Sequence, residues 1–303
     1  MTSVVLLDMK KNWIAIDWGT TNFRAFLLRE GEHIESINQA CGLLSVEKQQ
    51  FAPTLQNLLR QWLLRYGPLP IVMAGMVGSQ QGWHDVPYTP LPCGVGELLS
   101  RTLAFVTPWG SPAWIVPGVR GMSPYGLPDV MRGEEVQLLG LAALHPAGGH
   151  TVLLPGTHSK HVLMVNERIA ASSTFMTGEL FSLLSQYSIL GKALPEQRES
   201  KHAFVHGVAT AQCGAPFTHQ IFSARTFRLT GDIPETAIRS YISGLLIGYE
   251  LLSLPEQEQS WVIGSPSLTE RYQLASGQMN RNLFAVNGDD CFVSGLDLIF
   301  TLL

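Results

Sequence analysis

The sequence predicts an α/β protein built as two lobes. A chain of 303 residues is long enough for about two domains of ordinary size, each with its own core. Two pairs of apolar strands, each pair joined by a glycine-threonine turn, stand about half a chain apart, at IAIDWGTTNFRAFLL and TVLLPGTHSKHVLMV. Segments with apolar residues at helical spacing follow each pair. We therefore predict lobes over residues 1–147 and 148–303, related by a faint internal duplication.

The first lobe opens with a predicted β-hairpin. Residues 13–18 and 23–28 are strand-like, and the intervening GTTN has the residues of a turn. Apolar residues over 55–66 then fall on one helical face, and Gly67-Pro68 ends that helix. PIVMAG is typical of a buried strand, and it precedes a glycine-rich loop.

Two weaker segments complete the first lobe. Residues 87–128 are rich in proline, glycine and tryptophan with little periodicity, so we predict irregular surface structure there. A helix is predicted from Gly133 to the residue before His145-Pro146, followed by PAGGH as the linker. Its predicted apolar side consists of Val136, Leu139, Ala143 and Leu144.

The second lobe repeats the opening design and then becomes helical. Helices are predicted over 178–190 and 236–252, and in the second one Gly244 and Gly248 stand one turn apart, where another backbone can approach closely. WVIGSPSLTERY then predicts a strand, a Gly-Ser-Pro turn and a helix.

Composition excludes several classes of function. The net charge is −4 and no Lys/Arg run could follow a phosphate backbone, so no nucleic acid partner is expected. The opening MTSVVLLDMKK places its lysines after a short apolar cluster, unlike a secretory signal, and no run reaches the roughly 18 apolar residues of a membrane span. We therefore predict a cytoplasmic protein without a membrane partner. The four cysteines lack Cys-x-x-Cys spacing, which predicts buried free thiols.

The glycine-threonine turns suit phosphate binding. A tip of Gly19, Thr20 and Thr21 offers unobstructed backbone N–H groups and hydroxyl donors. Asp17 ends the preceding strand, where a carboxylate can hold Mg²⁺ through water. The alternative is that Asp17 and Gly19 only form a hairpin. A second such tip and a third Gly-Ser turn favour the phosphate hypothesis.

These segments carry a family resemblance. IAIDWGTTNFRAFLL, LLPGTHSKHVLMV and WVIGSPSL resemble the two phosphate motifs and the adenosine motif of the sugar kinase, Hsp70 and actin superfamily. The set DWGTTNFRA, MAGMVGSQQGW, MRGEE, LPGTHSKH and FMTGELF, in this order, resembles the 2-dehydro-3-deoxygalactonokinase family more closely. The resemblance implies a two-lobed ribonuclease-H-like (actin-like ATPase) fold with an interlobe cleft. It also implies ATP-dependent phosphorylation of the 6-hydroxyl of 2-dehydro-3-deoxy-D-galactonate in galactonate catabolism.

We predict nucleotide-binding residues in both lobes. Asp17 is expected to hold Mg²⁺, and Thr20 and Thr21 to contact the γ-phosphate end of ATP. In the second tip Leu154 stands where Asp17 stands in the first, so metal binding is expected on one side only. The residues expected around the β-phosphate and the adenosine are Gly156, Thr157, His158, Ser159, Thr177, Gly178, Glu179, Gly264 and Ser265. Lys160 either neutralises phosphate or is a solvated strand lysine, and His158 and His161 are not expected to share a metal.

A second acid is expected near the reacting phosphate. Glu134 and Glu135 begin a helix in RGEEVQLL, which resembles a cleft segment of exopolyphosphatases. Either one could accept the substrate hydroxyl proton or orient water on the metal. The alternative is that both acids only favour the helix dipole, by about 0.3–1 kcal/mol. Asp129 is a weaker candidate.

The sugar acid needs cationic and polar contacts. Arg24, on the strand that leaves the first tip, is expected to meet its carboxylate, with Asn22 beside it. Trp83, Asp85 and Tyr88 suit a polyhydroxyl chain, although a packed tryptophan and a solvated aspartate explain them equally well.

Two other functions are possible on the same fold. An exopolyphosphatase-like phosphohydrolase would release phosphate without a sugar acid. A non-enzymatic actin-like or chaperone-like nucleotide switch would form filaments, or would need a peptide-binding domain. Only 15% of the residues are charged, which favours a homodimer.

Overall fold

The computed structural model describes residues 12–146, 149–255 and 259–303 and divides the chain into two compact units. The first unit comprises residues up to 149 together with 163–172 and 288–303, and the second comprises 150–162 and 173–287. The last 16 residues thus return to the first unit, which sequence periodicity could not indicate. The opening segment 1–11 and the predicted linker residues Ala147 and Gly148 lie outside the described residues.

The first unit is organised around a six-stranded sheet. Its strands are β1 (Asn12–Trp18), β2 (Phe23–Arg29), β3 (Glu32–Gln39), β4 (Ile71–Gly75), β6 (Leu103–Val106) and β7 (Pro112–Ile115), in the order β3-β2-β1-β4-β7-β6. β1 and β2 form the predicted antiparallel hairpin, with Asp17 opposite Arg24. β1 and β4 are parallel, which brings Asp17 opposite Ala74 at the carboxyl ends of both strands.

The segment predicted to be irregular contains regular structure, so that prediction was wrong. Besides β6 and β7 it holds β5 (Thr89–Pro90), the helix α3 (Val95–Leu99) and β8 (Val119–Met122), and it runs up to β9 (Pro128–Met131). β5, β8 and β9 make a separate three-stranded sheet. Strands of two to four residues are too short to show an alternating pattern, because so few positions sample each face.

Among the described residues, four further α-helices belong to the first unit. They are α1 (Phe51–Leu58), α2 (Arg60–Tyr66), α4 (Glu134–Leu144) and α10 (Gly288–Leu302). The helix predicted over 55–66 is divided at Leu59, yet its apolar face is buried as expected: Leu55, Leu59 and Trp62 pack on the sheet residues. In α4 the predicted burial was wrong for Ala143 and Leu144, which are exposed.

The second unit repeats the strand order of the first. Its strands are β10 (Gly149–Leu154), β11 (Ser159–Val165), β12 (Arg168–Phe175), β13 (Gln259–Gly264) and β14 (Asn282–Asn287), in the order β12-β11-β10-β13-β14. As with β1 and β4, β10 pairs in parallel with the later strand β13. The matching orders confirm the internal duplication.

Five helices complete the second unit: α5 (Thr177–Gln186), α6 (Lys201–Ala211), α7 (Phe217–Thr230), α8 (Ile238–Leu251) and α9 (Pro266–Gln278). The predicted close approach at α8 is confirmed, because a Cβ placed on Gly244 would lie 1.9 Å from the Phe204 carbonyl oxygen of α6. In α5 the predicted apolar side is only partly covered, since Leu183 and Tyr187 are exposed.

Two general predictions can also be compared with the structure. All four cysteines are free, and Cys93 and Cys291 are buried as predicted, but Cys213 is exposed. Within the described ranges, every helix is too short or too polar to cross a membrane.

Candidate active site

The tip of the first hairpin is open to solvent. Gly19 closes the turn by donating to the Asn22 carbonyl at 2.9 Å, and Thr20, Thr21 and Asn22 are exposed. Residues 42–44 hold the tip from behind, since their N–H groups bind the carbonyls of residues 19–21. A depression of about 470 Å³ is lined by Asp17, by residues 19–24 and by residues 38–40. The predicted phosphate tip is therefore both fixed and accessible.

Arg24 joins two carboxylates beside this tip. Its guanidinium donates to Asp17 Oδ2, from Nε at 3.2 Å and from Nη2, and Nη1 donates to Asp289 Oδ1. Burial opposes the charged form of Arg24, but the charge and hydrogen bonds of Asp17, with the charge of Asp289, raise its pKa above the ordinary value. The arginine predicted to meet the substrate carboxylate thus already has two acidic partners.

Asp289 was not predicted from the sequence. It stands 265 residues from Arg24, in the first turn of α10 next to Asp290. A strand followed directly by GDD at a helix start resembles the Gly-Glu-Glu segment that sequence reasoning did select. Only tertiary structure reveals that Asp289 shares the arginine of Asp17.

The start of α4 lies close to Asp17. A Cβ on Gly75 would lie 3.1 Å from Asp17 Oδ1, and one on Gly133 would lie 3.3 Å from the Gly75 Cα. Gly75, at the end of β4, therefore lies between Asp17 and the Gly133-Glu134 turn and is adjacent to both. The Gly-Glu-Glu segment therefore begins next to the strand end that follows Asp17 in the sheet, and a shared role of its acids with Asp17 stays a prediction.

The two glutamates of this turn differ in environment. Glu134 is partly exposed, and its Oε2 accepts the Arg132 N–H at 3.0 Å. Glu135 has no exposed surface, and both its oxygens lie within 2.9 Å of the Gly133 nitrogen. Burial, and secondarily the charge of Glu134, raise the pKa of Glu135 to about 8. Asp129, the weaker candidate, lies on β9, and its Oδ2 accepts a hydrogen bond from the Ser172 hydroxyl at 3.4 Å.

The segment after β4 contains the other predicted sugar contacts. Trp83 is half-buried and packs edge-on against Phe105, with the ring centroids 5.1 Å apart. Asp85 is exposed. The Tyr88 ring stacks on the guanidinium of Arg132, whose Cζ lies 4.4 Å from the ring centroid.

In the second unit the hairpin tip contacts the start of α5. The Glu179 N–H donates to the Thr157 carbonyl at 2.9 Å, and the His158 Nε2 lies 2.5 Å from Glu179 Oε2. Gly156, Thr157 and His158 are exposed. These contacts bring together residues predicted separately for the β-phosphate and the ribose.

A buried carboxylate accepts hydrogen bonds from residues next to this second tip. Glu250 on α8 is 2% exposed and accepts four donors. The donors are Ser159 Oγ at 2.6 Å, His161 Nε2 at 2.9 Å, Tyr272 OH at 2.7 Å and Thr177 Oγ1. The hydroxyls of Ser159 and Thr177, predicted for the nucleotide, thus point at Glu250 because that buried acid needs donors.

Glu250 was not predicted from the sequence, and of the two alternatives for Lys160 the solvated lysine was wrong. Glu250 occupies a position of the apolar helix 238–251 where its charge gave no signal of burial. Lys160 is only 6% exposed and donates to Thr174 Oγ1 at 2.8 Å, so it is not a solvated strand lysine. Gly264 ends β13 and Ser265 immediately precedes α9, as the strand-turn-helix prediction requires.

The donor set beside the first tip fits Mg²⁺. The ion prefers one or two carboxylates together with water and phosphate oxygens, and Asp17 offers a single carboxylate within the depression. Across residues 12–146, 149–255 and 259–303, no group of three or more His, Cys, Asp and Glu side chains could hold a metal without such extra ligands.

Comparison with known proteins gives consistent matches over nearly the whole chain. The profile of the family described as 2-keto-3-deoxy-galactonokinase matches residues 17–299. The 2-dehydro-3-deoxygalactonokinase of Escherichia coli K12 is 36% identical over 295 residues, which cover 95% of this chain and 97% of that protein. A crystal structure from Sinorhizobium meliloti, of a protein assigned to the same activity, superposes with a TM-score of 0.85 at 33% identity, covering 95% and 97% of the two chains.

A more distant structure supports the fold alone. Component A of the (R)-2-hydroxyglutaryl-CoA dehydratase of Acidaminococcus fermentans is 10% identical with a TM-score of 0.51, covering 96% of this chain and 98% of that one. The α/β, ribonuclease-H-like (actin-like ATPase) fold class predicted from the sequence is confirmed.

Proposed function

Because the chain belongs to the 2-keto-3-deoxy-galactonokinase family, a family of carbohydrate kinases, we propose that it phosphorylates 2-dehydro-3-deoxy-D-galactonate with ATP. The O6 oxygen attacks the γ-phosphorus, the bond from that phosphorus to the β–γ bridging oxygen breaks, and ADP leaves. The observation that carries the proposal is the accessible Gly-Thr-Thr tip with Asp17 at its base.

Asp17 and the first tip bind the reacting end of ATP. The exposed Thr20 and Thr21 donate to the γ-phosphate oxygens, and Asp17 holds the metal. When bound, Mg²⁺ neutralises charge that develops on the phosphate oxygens. Arg24 fixes the Asp17 carboxylate through two hydrogen bonds, which keeps it in one orientation.

Glu134 accepts the proton of the substrate hydroxyl. A base must reach the substrate, and Glu134 is partly exposed whereas Glu135 is fully covered. Glu135 acts through the turn, because its hydrogen bonds hold Gly133 beside the Asp17 strand.

The second unit binds the remainder of the nucleotide. Gly156, Thr157 and His158 contact the β-phosphate through exposed groups. Lys160, which is buried, contributes positive charge without reaching the surface. Ser159 and Thr177 act through the hydrogen bonds that fix the tip. Gly178 and Glu179 line the ribose side, and Gly264 and Ser265 face the adenine.

Substrate contacts come from the two segments around the first tip. Asn22, Trp83, Asp85 and Tyr88 line the polyhydroxyl chain, with Arg24 at the reacting end. The pairing of Arg24 with Asp17 and Asp289 makes it less available to the substrate carboxylate than the sequence alone suggested. We further propose a homodimer that acts in the cytoplasm in galactonate catabolism.

The proposal is tested by ADP release with a panel of 2-keto-3-deoxy sugar acids. Wild-type protein is expected to release ADP only with a sugar acid, and Asp17→Asn should lower kcat by at least about 100-fold, as removal of one charge-stabilising group does elsewhere. Sugar-acid affinity, measured by calorimetry, should change little. Phosphate release without a sugar acid would instead favour a phosphohydrolase, and equal loss of turnover and sugar binding would remove Asp17 from the metal.

A further inference from the structure

Arg132 is a buried cation with incomplete hydrogen bonding. It stands at the end of β9 and is 9% exposed. Its Nη2 donates to the Val86 carbonyl at 2.7 Å and its plane stacks on Tyr88. Among the described residues, its Nε and Nη1 are buried without any hydrogen-bond partner. A guanidinium keeps its charge at all ordinary pH values, so these donors need an acceptor.

Two hydroxyl groups in adjoining segments share this condition. Ser79 Oγ and Thr89 Oγ1 are also buried without a partner in the described part of the chain. Ser79 follows Gly78, on which a Cβ would lie 2.8 Å from Arg132 Nη1, and Thr89 follows the stacked Tyr88. Four unpartnered polar atoms thus occur on three neighbouring segments, which is rare for buried groups.

Arg132 lies near the proposed reacting end. The turn from Gly75 to Gly78 lies next to Asp17 at its first residue and next to Arg132 at its last, because a Cβ on Gly75 would lie 3.1 Å from Asp17 Oδ1 and one on Gly78 would lie 2.8 Å from Arg132 Nη1. Met76–Gly78 forms a 3₁₀ turn, which rises about 2 Å per residue, so the backbone positions of Gly75 and Gly78 are roughly 6 Å apart. A six-carbon acid in extended form spans about 7 Å, like two residues of extended chain. Its hydroxyl and carboxylate ends can therefore reach the two positions.

We propose that Arg132 binds the carboxylate of the sugar-acid substrate, with Ser79 and Thr89 as additional donors. The inference rests on the proposed function and assigns the acid-recognition part of its site. A planar guanidinium with Nε and Nη1 free pairs with a carboxylate through two parallel hydrogen bonds. Gly78, in the turn that follows β4, lies against Nη1, so binding requires this turn to shift.

The test compares the sugar acid with its uncharged carboxamide, for wild type, Arg132→Gln and Arg132→Lys. Arg132→Gln should raise KM and calorimetric Kd for the acid by about 10- to 100-fold, the value of one or two charged hydrogen bonds. The amide and ATP should change by less than about threefold. Arg132→Lys should give an intermediate loss, because lysine keeps the charge without the planar fork.

Arg120→Gln is the matched control, since Arg120 is an exposed arginine of the same small sheet. A purely structural role for Arg132 predicts equal losses for acid and amide, and a phosphate-binding role predicts a higher KM for ATP; either result overturns the inference. If wild type binds the acid through Arg132 but transfers no phosphate, the proposed function fails while the inference stands. If transfer proceeds equally in Arg132→Gln, the reverse holds.

Discussion

At Glu135 a carboxyl group with no exposed surface lies in the first turn of α4. Burial and the neighbouring Glu134 raise its pKa from 4.5 to about 8, against the opposing effect of the Gly133 N–H and of Arg132. Between these two pH values the folded protein holds a proton that the unfolded chain has lost. The contribution of Glu135 to the free energy of unfolding is therefore fully present below about pH 4.5. It is lost as pH rises toward 8, by on the order of 5 kcal/mol.

Glu135→Gln should remove this pH dependence. Glutamine has the shape of the protonated acid and cannot ionise, so the variant should match wild type near pH 5 and exceed its free energy of unfolding near pH 8. Urea denaturation at pH 5, 6.5 and 8 measures the difference between the two proteins. Glu270→Gln, an exposed position on α9, should leave the wild-type pH profile unchanged. A constant difference at all three pH values would contradict the raised pKa.

The residues of the candidate site differ in how far the sequence could predict their positions. Asp17, Gly19 and Thr20 were predictable because a turn and a strand end are local features. Arg132 and Glu250 were not predicted, although Arg132 lies in the motif MRGEE. Their importance comes from burial against segments as far as 46 and 91 residues away along the chain, at Val86 and Ser159. Periodicity carries no information about such partners.

At the scale of elements, long periodic segments were predicted well. The two hairpins, α8 and the β13–α9 pair follow from spacing and turn residues, because each buries one regular face. The strands β5 to β9 escaped prediction because they are short. Helices α6 and α7 were also missed, and α7 has few fully buried residues, Gln220 and Ala224, to mark a face.

The contact between α6 and α8 gives a prediction about elements. Gly244→Ala would place a methyl group 1.9 Å from the Phe204 carbonyl oxygen, so the two helices must separate. We expect a loss of at least about 2 kcal/mol in the free energy of unfolding, measured with urea. Gly277→Ala in α9 is the control, because nothing lies within 4 Å of its Cβ position. It should be neutral or stabilise by up to about 1 kcal/mol, through helix propensity. Equal effects of the two substitutions would refute the close approach.

At the scale of the whole molecule, each unit has its own hydrophobic core. One cluster, including Trp18, Phe51 and Ile115, belongs to the first unit, and two clusters, including Tyr241 and Tyr272, belong to the second. The residues proposed to bind the nucleotide occur in both units, at the tip of the first hairpin of each sheet. A ligand that contacts only one unit would leave the exchange of backbone amides in the other unaffected.

Hydrogen exchange with and without Mg²⁺-ATP therefore tests the nucleotide assignment directly. At 100 times Kd a ligand stabilises the binding conformation by about 2.7 kcal/mol, equal to roughly 100-fold slower exchange for amides that exchange through its opening. Slowing is expected in segments 13–24 and 42–45 of the first unit and in 154–161 and 177–180 of the second. Helix α7 contains no proposed ligand and should exchange at an unchanged rate, which controls for general stabilisation. Asp17→Asn should weaken the effect in both pairs of segments, because both are expected to bind one nucleotide through one metal. Slowing confined to a single unit would contradict the two-tip assignment while leaving family membership intact, since that rests on the sequence match over residues 17–299.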